Sequence, residues 1–225
     1  MMKAVLITLY QIKIFLETTL VDVELVKDID IEKLMFTRFN RATKTILFLS
    51  RIERSKGIYE ILDIFKKLNK SEPDYKLIFA GDGMERENLQ NEILRLNIEN
   101  VYLKGFVKGE EKKRLFEEAS LFMFLSESEG MSNAVLEAMS FGLPVVTTNV
   151  GGIASVFQNN INGILIEKNN FDNILDKIHN IMSNKGEYLA ISRENYYTAK
   201  EKFWSNVVAK RIIEIFDEIS YKNNN

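Results

Sequence analysis

Two glutamates, Glu129 and Glu137, stand in the stretch 126–150, SESEGMSNAVLEAMSFGLPVVTTNV. The apolar run 121–125 predicts a buried strand leading into it. A polar loop follows, then a helix over about 132–141, a Gly-Leu-Pro turn and a second buried strand. On an ideal helix eight residues advance about 12 Å with about 80° of residual rotation. Glu129 is therefore expected at the helix mouth and Glu137 two turns deeper on a neighbouring face. That separation is too large for the carboxylates to share a proton. It suits holding opposite ends of one long ligand.

The helix mouth carries its own chemistry. The first amides of a helix have no internal acceptor, and the peptide dipoles make that end positive. A diphosphate binds readily there. Gly130 lets the backbone approach closely, and Ser132 is a candidate N-cap. Taken alone, such a unit favours a plainer reading: a strand–loop–helix turn with two solvated glutamates. The rest of the chain decides between them.

The 225 residues suffice for one core with a small appendage. A hydrophobic content of 46% and a charged content of 28% are those of an ordinary globular domain. The net charge of −2, with no basic stripe on any predicted helix face, speaks against nucleic acid as a partner. Cysteine is absent and His179 is the single histidine, which removes disulfides, thiolate zinc sites and Cys/His nucleophiles. The apolar run 4–16 is interrupted by Gln11 and Lys13 and is too short to span a bilayer. It also lacks the leader and cleavage site of a signal peptide. A cytoplasmic protein is expected, with at most peripheral contact at the inner face of a membrane.

Residues 1–40 read as a short N-terminal remnant or linker. A strand is expected over 4–9, and a strand or short helix over 11–20. The pair Asp28 and Asp30 has the spacing of a metal-holding motif, yet a hydrated turn ahead of a short amphipathic turn over 31–36 is favoured. From Thr45 the pattern becomes regular. Strands are expected over 45–49, 76–80, 101–103, 121–125, 144–147 and 163–166. Helices are expected between them, over 110–119 and 153–158 among others, and over about 171–182, 186–200 and 203–221 at the end. Alternating apolar strands and helices predict a doubly wound parallel sheet, a Rossmann-like α/β domain over 41–200. Residues 201–225 add a terminal helix and a polar tail.

Ligands of such sheets bind beyond the carboxyl ends of the strands. The loops there are 50–57, 81–83, 104–107, 126–132 and 149–152. Every unusual residue cluster of the regular region falls in one of them. Arg51 and Lys56 combine a guanidinium fork with a mobile ammonium, which suits a diphosphate; two surface cations remain the alternative. Gly81 and Gly83 suit a chain turning off a strand, and without a third glycine they are a weak dinucleotide signal. Gly105 and Phe106 could let main-chain groups reach a flat base.

The segment EGMSNAVLEAMSFGLPVV resembles the signature of the family 4 retaining glycosyltransferases: two glutamates separated by seven residues, then Ala-Met and Gly-x-Pro-Val. SRIERSKG resembles that family's Gly-Arg…Lys-Gly element, FAGDG its strand with Gly-x-Gly, VYLKGFV its base-side loop and NVGGIASV its later glycine pair. The order and spacing agree over roughly 46–168. Phe203 and Trp204, ahead of a long helix, resemble the family's C-terminal crossover element.

The resemblance implies the sugar-nucleotide half of a two-domain GT-B enzyme. Glu129 would hold sugar hydroxyls of the donor and Glu137 the ribose. Arg51 and Lys56 would stabilise the departing diphosphate, with amides of the segment Gly130, Met131, Ser132, Asn133 and Ala134. Gly81 would sit beside the donor, and Phe106 and Val107 would flank the base. The implied donor is a UDP- or GDP-sugar, with no metal and no further cofactor. The implied acceptor is a glycan or a lipid-linked glycan, in bacterial-type cell-surface polysaccharide synthesis.

Two departures stand out: Ser50 replaces the family's usual glycine, and Ser155 stands where a glutamate is common. Residues 1–30 are too few for the family's acceptor domain. A fragment, a degenerate gene product or one component of a split enzyme with a separate acceptor-binding subunit is therefore expected. A non-catalytic nucleotide-sugar-binding module is the alternative. An epimerase or an NAD-dependent reductase fits less well, for want of the histidines or the full glycine fingerprint.

Overall fold

The computed structural model describes residues 20–167 and 170–223. The expected elements over 4–9 and almost all of 11–20 lie outside the described residues. Six strands form one parallel sheet: β1 (Lys44–Leu49), β2 (Tyr75–Ala80), β3 (Val101–Gly105), β4 (Leu121–Phe124), β5 (Val145–Thr148) and β6 (Gly163–Ile166). Their order is β3-β2-β1-β4-β5-β6. The chain winds one way from β1 to β3, then returns to place β4 beside β1. The register pairs Ile46 with Leu121 and Leu47 with Phe122 across that junction.

The interior strands are apolar because both faces of the sheet are covered. All four residues of β4 and all four of β5 are buried. The covering helices are α1 (Ile31–Phe39), α2 (Ile58–Ser71), α3 (Arg86–Arg95), α4 (Gly109–Glu118), α5 (Asn133–Ser140), α6 (Ile153–Val156), α7 (Ile174–Ser183), α8 (Lys185–Lys202) and α9 (Ser205–Asn223). In α2 the buried positions Ile58, Ile61, Leu62, Phe65 and Leu68 recur at helical spacing. α2 packs on β2 and α7, α4 on β1, and α5 on β4, β5 and α8. Phe116 of α4 stacks on Phe141 at 5.0 Å between ring centroids and lies 6.0 Å from Phe122 of β4. Each such buried ring contributes about 1.5–3 kcal/mol of burial free energy.

Residues 31–39 form a full helix rather than the short turn expected over 31–36. Asp30 caps it by accepting from the Lys33 amide at 3.1 Å, so that aspartate serves the helix end. Arg38 explains why the helix is needed. Its guanidinium is fully buried and donates from Nε to the Glu117 carbonyl at 3.1 Å, from Nη1 to Phe141 at 2.5 Å and from Nη2 to Phe116 at 2.7 Å. One side chain thus caps the carboxyl ends of both α4 and α5, where the helix dipoles are negative. Burial pushes its pKa down to about 10, so it stays charged at neutral pH. Among the described residues no helix is long and apolar enough to cross a membrane.

Candidate functional site

The strand order reverses between β1 and β4. In such sheets the loops leaving the two strands part to opposite sides, and ligands bind in the crevice expected beyond their tips. Residues 50–57 form one wall and residues 125–132 the other. Backbone contacts fix the separation of the two walls. The Ser55 carbonyl accepts from Ser126 Oγ at 3.1 Å and from the Glu127 amide at 2.9 Å. Gly57 turns the first loop into α2 at φ +73°, and a Cβ there would stand 2.2 Å from the Leu125 carbonyl oxygen. Only glycine satisfies both demands.

Across this crevice Lys56 Nζ donates to Glu129 Oε1 at 2.5 Å. The two side chains are 13% and 14% exposed, so the pair is largely withdrawn from water yet reachable. The Lys56 ammonium also faces the Phe124 ring at 6.0 Å. The sequence placed both residues at strand tips; the fold brings them into contact.

Behind Glu129 the helix mouth forms as its residue types require. Ser132 Oγ accepts from the Val135 amide at 3.4 Å, in the N-cap role. Asn133, the first helical residue, is exposed and Ala134 is half-buried. Gly130 is exposed, with open space where a side chain would project. The far side of the loop is tight instead. The Gly152 amide donates to the Gly130 carbonyl at 2.5 Å. A Cβ on Gly151 would stand 1.7 Å from the Glu129 carbonyl oxygen, and one on Gly152 would stand 2.8 Å from Met131 Cε. The later glycine pair therefore supports the loop that carries Glu129.

Glu137 lies deeper, in the middle of α5, with its side chain 11% exposed. Its Oε1 accepts from Lys112 Nζ of α4 at 2.5 Å. Burial pushes the Glu137 pKa up, against the opposing pull of Lys112 and with a smaller push from Asp22. Lys112 was not singled out in the sequence. Its one available signal was position: it lies at the start of the helix that leaves the tip of β3. Glu129 and Glu137 each hold a different lysine, as their helical separation demands.

The remaining candidates are placed less uniformly. Arg51 is 69% exposed and its Nη1 donates to Glu53 Oε1 at 2.7 Å, so it belongs to the rim of the crevice. Gly81 adopts φ +140°, a Cβ there would stand 1.8 Å from the Ser50 carbonyl oxygen, and its amide donates to Gly105 at 2.7 Å. It joins the tips of β1, β2 and β3. Phe106 is 74% exposed beyond β3, whereas Val107 is 7% exposed and packs inward. His179 lies away from the crevice and meets Glu72 at 2.9 Å.

The fold and this crevice define a doubly wound α/β domain with a cation and a carboxylate facing one another at the switch point. The chain belongs to the family described as glycosyl transferases group 1, whose sequence model matches residues 31–202. An uncharacterized glycosyltransferase of Haemophilus influenzae is 32% identical over 150 residues, which cover 66% of this chain and 42% of that protein. The crystal structure of Anabaena Alr3699/HepE in complex with UDP is similar with a TM-score of 0.74 at 22% identity, over 88% of this chain and 56% of that one. The C-terminal domain of the group 1 protein LpcC from Francisella tularensis is similar with a TM-score of 0.69 at 20% identity, over 82% of this chain and 99% of that one. Both structural likenesses are likenesses of fold. The chain spans less than half the length of the curated relatives it matches.

Proposed function

We propose that this chain is the donor-binding half of a GT-B glycosyltransferase that moves a sugar, with retention, from a nucleoside-diphosphate sugar to a glycan or lipid-linked acceptor. A role in cell-surface glycan synthesis fits the same reading. The Lys56–Glu129 contact across the switch-point crevice, beside the amide-rich start of α5, carries it.

The chemistry follows from charge. When the bond between the sugar's anomeric carbon and the diphosphate breaks, the electron pair leaves with the diphosphate. A preorganised ammonium and free helix amides stabilise that growing negative charge. In the reading proposed here Lys56 and the amides around Asn133 and Ala134 do this, Arg51 assists from the rim, and Glu129 receives sugar hydroxyls. Glu137 receives the ribose, and the exposed Phe106 offers a flat face to the base. These groups all belong to the chain itself. That the structure of Alr3699/HepE holds UDP in the same fold supports the donor class.

Titration calorimetry with UDP, GDP, their sugars and free uridine tests the proposal. UDP or GDP is expected to bind at least tenfold more tightly than its nucleoside, since the diphosphate meets the charged part of the crevice. Equal affinity for uridine and UDP would overturn the reading.

A further inference from the structure

Lys112 gains nothing from the dipole of its own helix. The positive end of a helix dipole favours acidic residues in the first turn, and α4 has them in Glu110 and Glu111. A lysine directly after them works against that preference. Its ammonium instead lies against Glu137 Oε1 at 2.5 Å, with the two side chains 21% and 11% exposed. The neighbours of Glu137 on α5, Leu136 and Ala138, are completely buried.

The charged groups acting on Glu137 among the described residues are Lys112 from α4 and Asp22 from the segment ahead of α1. Helix α8, packed against α5, buries no acidic or basic side chain, and its buried Ser192 hydroxyl has no hydrogen-bond partner among the described residues. Tyr188 donates to the Ser120 carbonyl, and Asn195 donates to the Leu143 and Asn162 carbonyls. Strands β4 and β5 bring hydrocarbon and threonine. Arg38 ties the far ends of α4 and α5 together, which fixes the distance between the lysine and the glutamate.

We propose that Lys112 is a positioning residue that holds the Glu137 carboxylate as a fixed, charged acceptor for the hydroxyl pair of a nucleoside ribose. This rests on the donor-binding reading of the crevice. An ionised carboxylate accepts at both oxygens, whereas a protonated one must donate from one of them. One oxygen meets the ammonium; the other stays available to a diol. Burial works against the ionised form, and Lys112 opposes it.

The test is UDP affinity by calorimetry between pH 5.5 and 8.5, each variant expressed as a ratio to wild type so that titration of UDP itself cancels. Lys112→Met is expected to bind poorly at low pH and to regain affinity as pH rises. The ratio to wild type should rise towards unity with pH, because loss of an adjacent opposite charge raises a carboxyl pKa by about 1–3 units. Lys112→Arg restores the wild-type profile, and Glu137→Gln is weak at every pH. Lys112→Gln repeats the measurement should the methionine variant not fold. A ratio for Lys112→Met that does not change with pH, or an arginine variant that fails to restore the profile, overturns the role of Lys112. Wild-type protein that ignores UDP would instead overturn the underlying reading.

Discussion

Lys56 and Glu129 arise from loops on two different strands, yet their charged atoms meet at 2.5 Å. Neither residue is placed by its own helix. Lys56 ends a short 3-10 turn at residues 54–56, and Glu129 precedes the cap of α5. Their meeting is a property of the β1–β4 junction. It converts two unremarkable surface loops into one charged crevice.

That contact predicts energetic coupling. Lys56→Met and Glu129→Gln should each weaken the folded state, and the double variant should lose less than the sum. A coupling of about 0.5–3 kcal/mol is expected for residues in direct contact. Urea denaturation of the four proteins measures it. Strict additivity would show that the pair does not act as a unit.

Gly151→Ala should damage the Glu129 loop without touching a charged side chain. A methyl group there stands 1.7 Å from the Glu129 carbonyl oxygen, at a φ of +54°. Overpacking of this kind costs about 1–3 kcal/mol, and UDP binding should fall with stability. Gly130→Ala is the control, since a Cβ at Gly130 meets open space. Thermal melts of the two variants distinguish them.

Arg38→Met should be among the most destabilising single changes. It leaves the carbonyls of Phe116 and Phe141 without their guanidinium donor in a buried site, and that of Glu117 with Arg41 alone. A loss on the order of 3 kcal/mol is expected, with each orphaned group contributing about 1–3 kcal/mol before relaxation and the recovered burial cost of the charge. Since the folded-state pKa of Arg38 is depressed to about 10, its contribution is constant at every pH well below that value. The loss measured in urea should therefore be equal at pH 6 and pH 8.

Glu137 predicts a slope in the acid range. Its folded-state pKa is raised above the ordinary 4.5, so the folded state binds more protons than the unfolded chain in that window. Stability from this group is thus complete below the unfolded value and declines as pH rises through the folded one. Glu137→Gln should remove that decline. Comparing urea midpoints of the variant and wild type from pH 4 to 8 shows whether the difference between them changes with pH in this sense.

The parallel sheet and its tip loops were legible because buried strands are short apolar runs and the intervening helices keep a clean period. The run 121–125 and the α2 positions Ile58, Ile61, Leu62, Phe65 and Leu68 show both. The cap at Ser132 was legible because capping is local. Arg38 was not, because a cation amid apolar residues reads as a surface position until two distant helix ends converge on it. Lys112 escaped for the same reason: its partner lies in another helix. Arg51 and Lys56 looked equivalent in the sequence, yet Glu53 draws one outward while the turn at Gly57 directs the other inward. Pairings that depend on where strands are laid side by side are not encoded in local spacing.

The Ser55 carbonyl, held at once by the hydroxyl of Ser126 and the amide of Glu127, sets an order on biogenesis. A ribosome releases β1, its loop and α2 long before β4 emerges. Until then that oxygen has only water to bind, and nothing shapes the lysine's surroundings. A nascent chain halted before residue 126 should be blind to nucleotide, and recognition should appear only once Gly151 and Gly152 have emerged to support the Glu129 loop.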